Sequence, residues 1–167
     1  MSESTSTTAP APGTFRSAHP FEESRIRAAA IYCSDGRYGE QFDEFLHAGL
    51  GLPRYDRVAV PGGPGCLAGH FAAYRDEEVL VEQMDFLIRS HELNRMVLIA
   101  HQGCGFYLKR LSVRPDELAS RQQADLSKAA ARLWRINPSL EIDAYTATRE
   151  EGFVQFNPVE IKEEASI

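Results

Sequence analysis

The apolar positions fall into short runs that alternate with longer stretches of helical period. Residues 27–32 (Arg-Ala-Ala-Ala-Ile-Tyr) form a compact apolar run that stops at Cys33, which predicts a buried strand. Residues 38–48 then place Phe42, Phe45 and Leu46 at helical spacing, and Gly49 and Gly51 predict the stop of that helix. Residues 57–60 read as a second strand, closed by Pro61-Gly62-Gly63-Pro64-Gly65. Residues 77–93 carry Leu80, Val81, Met84, Leu87 and Ile88 on one face, the stripe of an amphipathic helix. Residues 95–100 are the clearest strand. Residues 115–136 predict the longest helix, with Ser112 to Asp116 supplying capping chemistry and a proline near the start. Residues 140–146 alternate as a fourth strand, and residues 153–156 suggest a short fifth.

Apolar strands alternating with helices predict an α/β protein, with a mostly parallel sheet of four to five strands flanked by helices on both faces. In such sheets ligands bind beyond the carboxyl ends of the strands. Residues 1–20 are rich in Ser, Thr, Ala and Pro and hold little that could offset ordering entropy, so they read as a disordered tail. Residues 21–161 then form one domain and 162–167 a frayed end.

Composition narrows the function. The balance of 43% hydrophobic and 25% charged residues over 167 positions suits one globular domain. The net charge of -6 argues against nucleic acid or an anionic membrane as partner, since both reward clustered cations. No apolar stretch is long enough to span a bilayer, and the N-terminus lacks the basic start and apolar run of a signal peptide, so the expected location is cytoplasmic. Three widely spaced cysteines, at positions 33, 66 and 104, do not make a disulfide framework.

Two predicted strands end in unusual chemistry. The first runs into Cys33-Ser-Asp35-Gly-Arg37, the third into His101-Gln-Gly-Cys104-Gly105. A cysteine ending a buried strand is most often a small core residue, His-x-x-Cys alone is a weak metal signal, and Asp-x-Arg alone is commonly a surface pair worth about 0 to 1 kcal/mol. At one edge of one parallel sheet, however, they bring together two thiols, an imidazole, a carboxylate and a guanidinium. Thiolates and neutral imidazole suit zinc, and three protein ligands plus one open position is the catalytic arrangement. Gly103 and Gly105 would ease the turn between His101 and Cys104. Arg37 would fix Asp35 and keep it ionised, so that Asp35 could accept a hydrogen bond from a metal-bound water or itself fill the fourth position. Tyr38, Phe42, Phe106 and Tyr107 are candidate pocket walls, and plain core packing is the commoner fate of such aromatics. Cys66 reads as inert, and His47 and His70 as surface or structural residues that could alternatively shuttle protons. Gly62-Gly63-Pro64-Gly65 follows a strand but has neither dinucleotide-binding spacing nor a P-loop lysine.

Cys-x-Asp-x-Arg followed by His-x-x-Cys resembles the signature of the β-carbonic anhydrases. The stretch Ile-Ala-His-Gln-Gly-Cys-Gly, the second strand running into Pro61-Gly62-Gly63, and Glu151-Gly-Phe-Val-Gln-Phe156 as an edge strand extend the likeness over residues 25–160. The resemblance implies that Cys33, His101 and Cys104 hold Zn2+, and that Asp35 and Arg37 form the dyad that orients a zinc-bound hydroxide. It further implies reversible hydration of carbon dioxide to bicarbonate, in a homodimer or higher homo-oligomer; Gly62 and Gly63 by themselves would allow close backbone approach to a ligand. Where the family commonly carries an Arg-Asn-Ala-Gly type stretch, this chain reads Val60-Pro61-Gly62-Gly63. That difference keeps a zinc-binding homologue without catalysis in view, beside hydrolysis of carbonyl sulfide or carbon disulfide on the same scaffold, an activity known among relatives of the family.

Overall fold

The structure is a computed structural model that describes residues 11–162. Positions 1–10 of the expected tail and 163–167 of the expected frayed end lie outside the described residues. Residues 11–27 contain no helix or strand and are almost wholly exposed. Arg54 pins the end of this stretch by donating to the carbonyls of Glu22 and Ser24.

Five strands form one sheet in the order β2-β1-β3-β4-β5. They are β1 (Ala28–Cys33), β2 (Asp56–Val60), β3 (Arg95–His101), β4 (Glu141–Glu150) and β5 (Phe153–Pro158). The first four in spatial order pair in parallel, and β5 closes the edge antiparallel to β4. All six residues of β1 are buried, as are all but the first of β3, so neither strand alternates in polarity. A strand covered on both faces has no solvent side to mark.

The helices supply that cover. α1 (Gly39–Glu44) continues into a π-turn over Phe45–Gly49, and the later helices are α2 (Tyr74–Ser90) and α3 (Leu118–Ile136). One apolar cluster joins Leu80, Met84 and Ile88 of α2 and Leu126 and Leu133 of α3 to Ile31, Met96 and Leu98 of the sheet. A second joins Phe42 and Leu46 to Ala30, Tyr32, Val97 and Ile99 on the opposite face. Successive strand residues thus go to opposite layers, as the pleat requires. Among the described residues, no helix is long and apolar enough to cross a membrane.

The sequence-based expectation errs at the start of α3. The helix begins at Leu118, and its N-cap residue Glu117 makes no side-chain capping bond. Asp116 is instead engaged by Arg114, which donates to both carboxylate oxygens at 3.1 and 2.6 Å. A side chain so paired is not free to cap, and residues 115–117 form a turn.

The loop after β2 matters most for the site. It tightens into a buried 3-10 turn over Gly63–Leu67 that sequence periodicity did not reveal, and this turn packs against α3 and the end of β1. Gly63 has φ +53°, and a Cβ there would lie 2.8 Å from the backbone nitrogen of Cys33 and from the carbonyl carbon of Tyr32. Gly63→Ala therefore meets a rigid backbone in a left-handed conformation. We expect a loss of about 2 kcal/mol or more in urea unfolding.

Candidate metal centre

Strand register places the centre. β1 and β3 are neighbours, with Tyr32 opposite Ile99. Cys33, one step on, and His101, two steps on, therefore reach the same rim of the sheet. β3 then turns through Gln102 and Gly103, where φ +70° at Gly103 suits a residue without a Cβ, and returns Cys104 to that rim. Gly105, expected to ease the turn as well, has helical backbone angles and open space beside it, so the turn does not require glycine there. The chain continues into a single π-turn, Phe106–Arg110.

The donor atoms of Cys33, His101 and Cys104 all lie within 4.8 Å of one another, and all three residues are buried. The two sulfurs are 3.9 Å apart. Two thiolates on one tetrahedral zinc, at about 2.3 Å each, stand about 3.8 Å apart. The imidazole is oriented to match. Its Nδ1–H donates to the carbonyl of Gln102 at 3.0 Å, whereas Nε2 is buried with no hydrogen-bond partner. A buried ring nitrogen without a partner is costly, and a cation is the partner its lone pair suits. The residues present therefore fit a divalent metal.

Several contacts fix that imidazole. The Tyr38 hydroxyl donates to the same Gln102 carbonyl at 3.0 Å, and its ring centroid lies 4.5 Å from that of His101. Gln122 of α3 donates through Nε2 to the His101 carbonyl at 2.9 Å. The backbone N–H of Arg149 donates to Gln102 Oε1 at 2.9 Å, tying the turn to β4. Sequence reasoning did not single out Gln122. The available signal was a polar side chain in the apolar stripe of Leu118, Leu126, Ala129 and Leu133.

The two thiols make one long S–H···S contact, at 3.9 Å. Cys104 donates to Cys33, and that contact, helped by the backbone of Gly62 and Asp35 and opposed by burial, lowers Cys33. The same contact, with burial, pushes Cys104 up. A divalent ion bound here would displace the protons of both thiols.

Asp35 and Arg37 pair as their spacing suggests. Arg37 Nε lies 2.9 Å from Oδ1, its terminal nitrogen 2.6 Å from Oδ2, and its backbone N–H donates to Oδ1 at 3.1 Å. The guanidinium holds the Asp35 carboxyl down at about 2. Asp35 is not one of the clustered donors.

The remaining candidates fall into supporting places. Phe42 is fully buried between Tyr32, Tyr38 and Phe156, behind Tyr38. Phe106 and Tyr107 belong to the apolar cluster that encloses Cys33 and Cys104. Phe106 packs so close to Gly62 that a Cβ there would meet its ring at 2.5 Å. Cys66 donates its thiol to the Pro61 carbonyl at 2.8 Å, and burial pushes it up to about 12, as suits an inert thiol. His70 is paired with Asp125 in the interior.

No family model matches the sequence, and neither does any curated protein. Solved structures do match the fold. The β-carbonic anhydrase isoform I of the protozoan Trichomonas vaginalis is 11% identical, with a TM-score of 0.51 over 84% of this chain and 87% of its own. The β-carbonic anhydrase CafA of the fungal pathogen Aspergillus fumigatus is 16% identical, with a TM-score of 0.52 over 84% of this chain and 78% of its own. The five-stranded, mostly parallel sheet, with a Cys-His-Cys group at the carboxyl ends of β1 and β3, is thus built on the fold of the β-carbonic anhydrases.

Proposed function

We propose that this protein is a zinc-dependent carbonate dehydratase, catalysing the reversible hydration of carbon dioxide to bicarbonate. The observation that carries the reading is the partnerless, buried Nε2 of His101 beside two thiols, next to a carboxylate held ionised by a guanidinium. Cys33, His101 and Cys104 would hold the metal, which when bound supplies the Lewis acidity that makes water a nucleophile near neutral pH.

The protein's own groups do the rest. Asp35, ionised and locked by Arg37, accepts a hydrogen bond from the attacking water and so directs its lone pair at the substrate carbon. Tyr38 and Gln102 keep the His101 ring from rotating. Phe106, Gly62 and Gly63 pack around the Cys33 end of the centre and are the proposed apolar walls for a small linear substrate. A homo-oligomer would cover Phe71, Val79 and Phe86, which stand exposed on and beside α2.

Metal analysis with stopped-flow hydration tests the proposal. We expect about one zinc per chain and rapid acidification of carbon dioxide solutions. Zinc-loaded protein that releases sulfide from carbonyl sulfide without hydrating carbon dioxide would reassign the substrate. Zinc with neither activity would leave a binding protein.

A further inference from the structure

We infer that Gln122 and Asp125, a buried polar pair on α3, are positioning residues for the metal centre, holding its two halves from one helix. The inference rests on the metal reading given above. The face of α3 turned to the interior is apolar at Leu118, Leu126, Ala129 and Leu133, yet Gln122 is 4% and Asp125 0% exposed on that same face. Burying a carboxylate costs free energy that an apolar residue of like size would avoid, so stability alone does not explain it.

Each polar group reaches a different half of the site. Gln122 Nε2 clasps the carbonyl of His101, at the end of the strand that delivers two of the three donors. Asp125 Oδ2 lies 2.6 Å from His70 Nε2, and the two side chains are 1% and 8% exposed. His70 ends the loop that begins at Gly62, and within that loop Gly63 lies against the backbone of Cys33. Asp125 thereby anchors the segment that backs the third donor. Tyr107, raised by burial and then by the Asp125 charge, fills the space between, its hydroxyl resting on Gly65. Asp125 Oδ1 has no hydrogen-bond donor, and Lys128 Nζ stands 4.0 Å away. Tyr107 and His70 both face Asp125, and the contact with His70 is the one that ties it to the loop. A helix that fixes both the His101 turn and the Cys33 backing loop sets the spacing of the donors, which a metal ion reads directly.

Zinc affinity, measured by competition with a chromogenic chelator, and the visible spectrum of the cobalt-substituted protein report on that spacing. Gln122→Met and Asp125→Ala should each weaken zinc about 10- to 100-fold and shift the cobalt ligand-field bands. Asp125→Asn, which keeps an acceptor for His70, should recover most of the affinity. Leu133→Ala, a cavity two turns along the same helix, should lower thermal stability and leave zinc affinity within about twofold. Should Asp125→Ala not fold, Gln122→Met carries the test alone. Wild-type zinc affinity and an unshifted cobalt spectrum in Gln122→Met and Asp125→Ala would overturn the positioning role. Wild-type protein that binds no zinc would instead overturn the metal reading beneath it.

Discussion

Cys104→Ala protein is expected to carry no zinc after desalting and to show no hydration activity above background. Cys104 is 1% exposed and supplies one of the three donors that cluster among the described residues. Removing it would take away a proposed ligand and also the thiol that contacts Cys33 Sγ at 3.9 Å. Two donors on flexible terms with water cannot replace three held on a rigid sheet rim, so the loss should approach the whole of the binding free energy, on the order of 10 kcal/mol for buried Cys/His zinc sites. The readout is twofold. In the wild type, zinc should raise the midpoint of thermal unfolding and a chelator should lower it, because a ligand that binds only the folded state stabilises by mass action. In Cys104→Ala, neither addition should move the midpoint. A variant that kept stoichiometric zinc would remove Cys104 from the ligand set.

Asp35→Asn should separate metal from turnover. The amide preserves shape but cannot accept as a carboxylate does, and it loses the charge that Arg37 grips through two parallel bonds. Zinc content should match the wild type, since Asp35 is not one of the clustered donors. The rate constant for hydration should fall roughly a hundredfold or more, the usual scale for a positioned proton acceptor. Full activity in Asp35→Asn would take the dyad out of the mechanism. The same variant has a stability signature with a defined sign. The folded carboxyl is held at about 2, below its ordinary 3.8. Its contribution is therefore fully present above about pH 4 and is lost as pH falls through about 2. Denaturant titrations at a series of pH values should show a constant gap between wild type and Asp35→Asn near neutrality, closing between pH 4 and pH 2. Because Asp35 stays ionised across the neutral range, any inflection of the activity profile there belongs to another group.

The chain's alternation of apolar runs and helical stripes made the sheet and its flanking helices readable, because burial on both faces of β1 and β3 leaves a continuous apolar signature. The donor set was readable for a related reason: two strand ends in a parallel sheet must share a rim, and those ends carry Cys33 and His101-x-x-Cys104. What stayed hidden was irregular backbone. The Gly63–Leu67 turn has no period, and its role became plain only from the approach of Gly63 to the Cys33 amide. Local charge misled at Asp116, where Arg114 wins a side chain that otherwise favours capping. Phe42 shows the limit of sequence proximity: it lies near the Asp35–Arg37 motif along the chain but packs in the layer behind Tyr38. Long-range pairs such as Asp125 with His70, 55 positions apart, leave no local trace at all.

The two sulfurs of the centre come from residues 71 positions apart. An ion bridging them would act as a removable cross-link over a large part of the chain, and such closures restrict the unfolded ensemble more as the enclosed loop lengthens. Loss of the ion would release that restricted ensemble and so lower the stability of the folded state as a whole, wherever along the chain the opening begins.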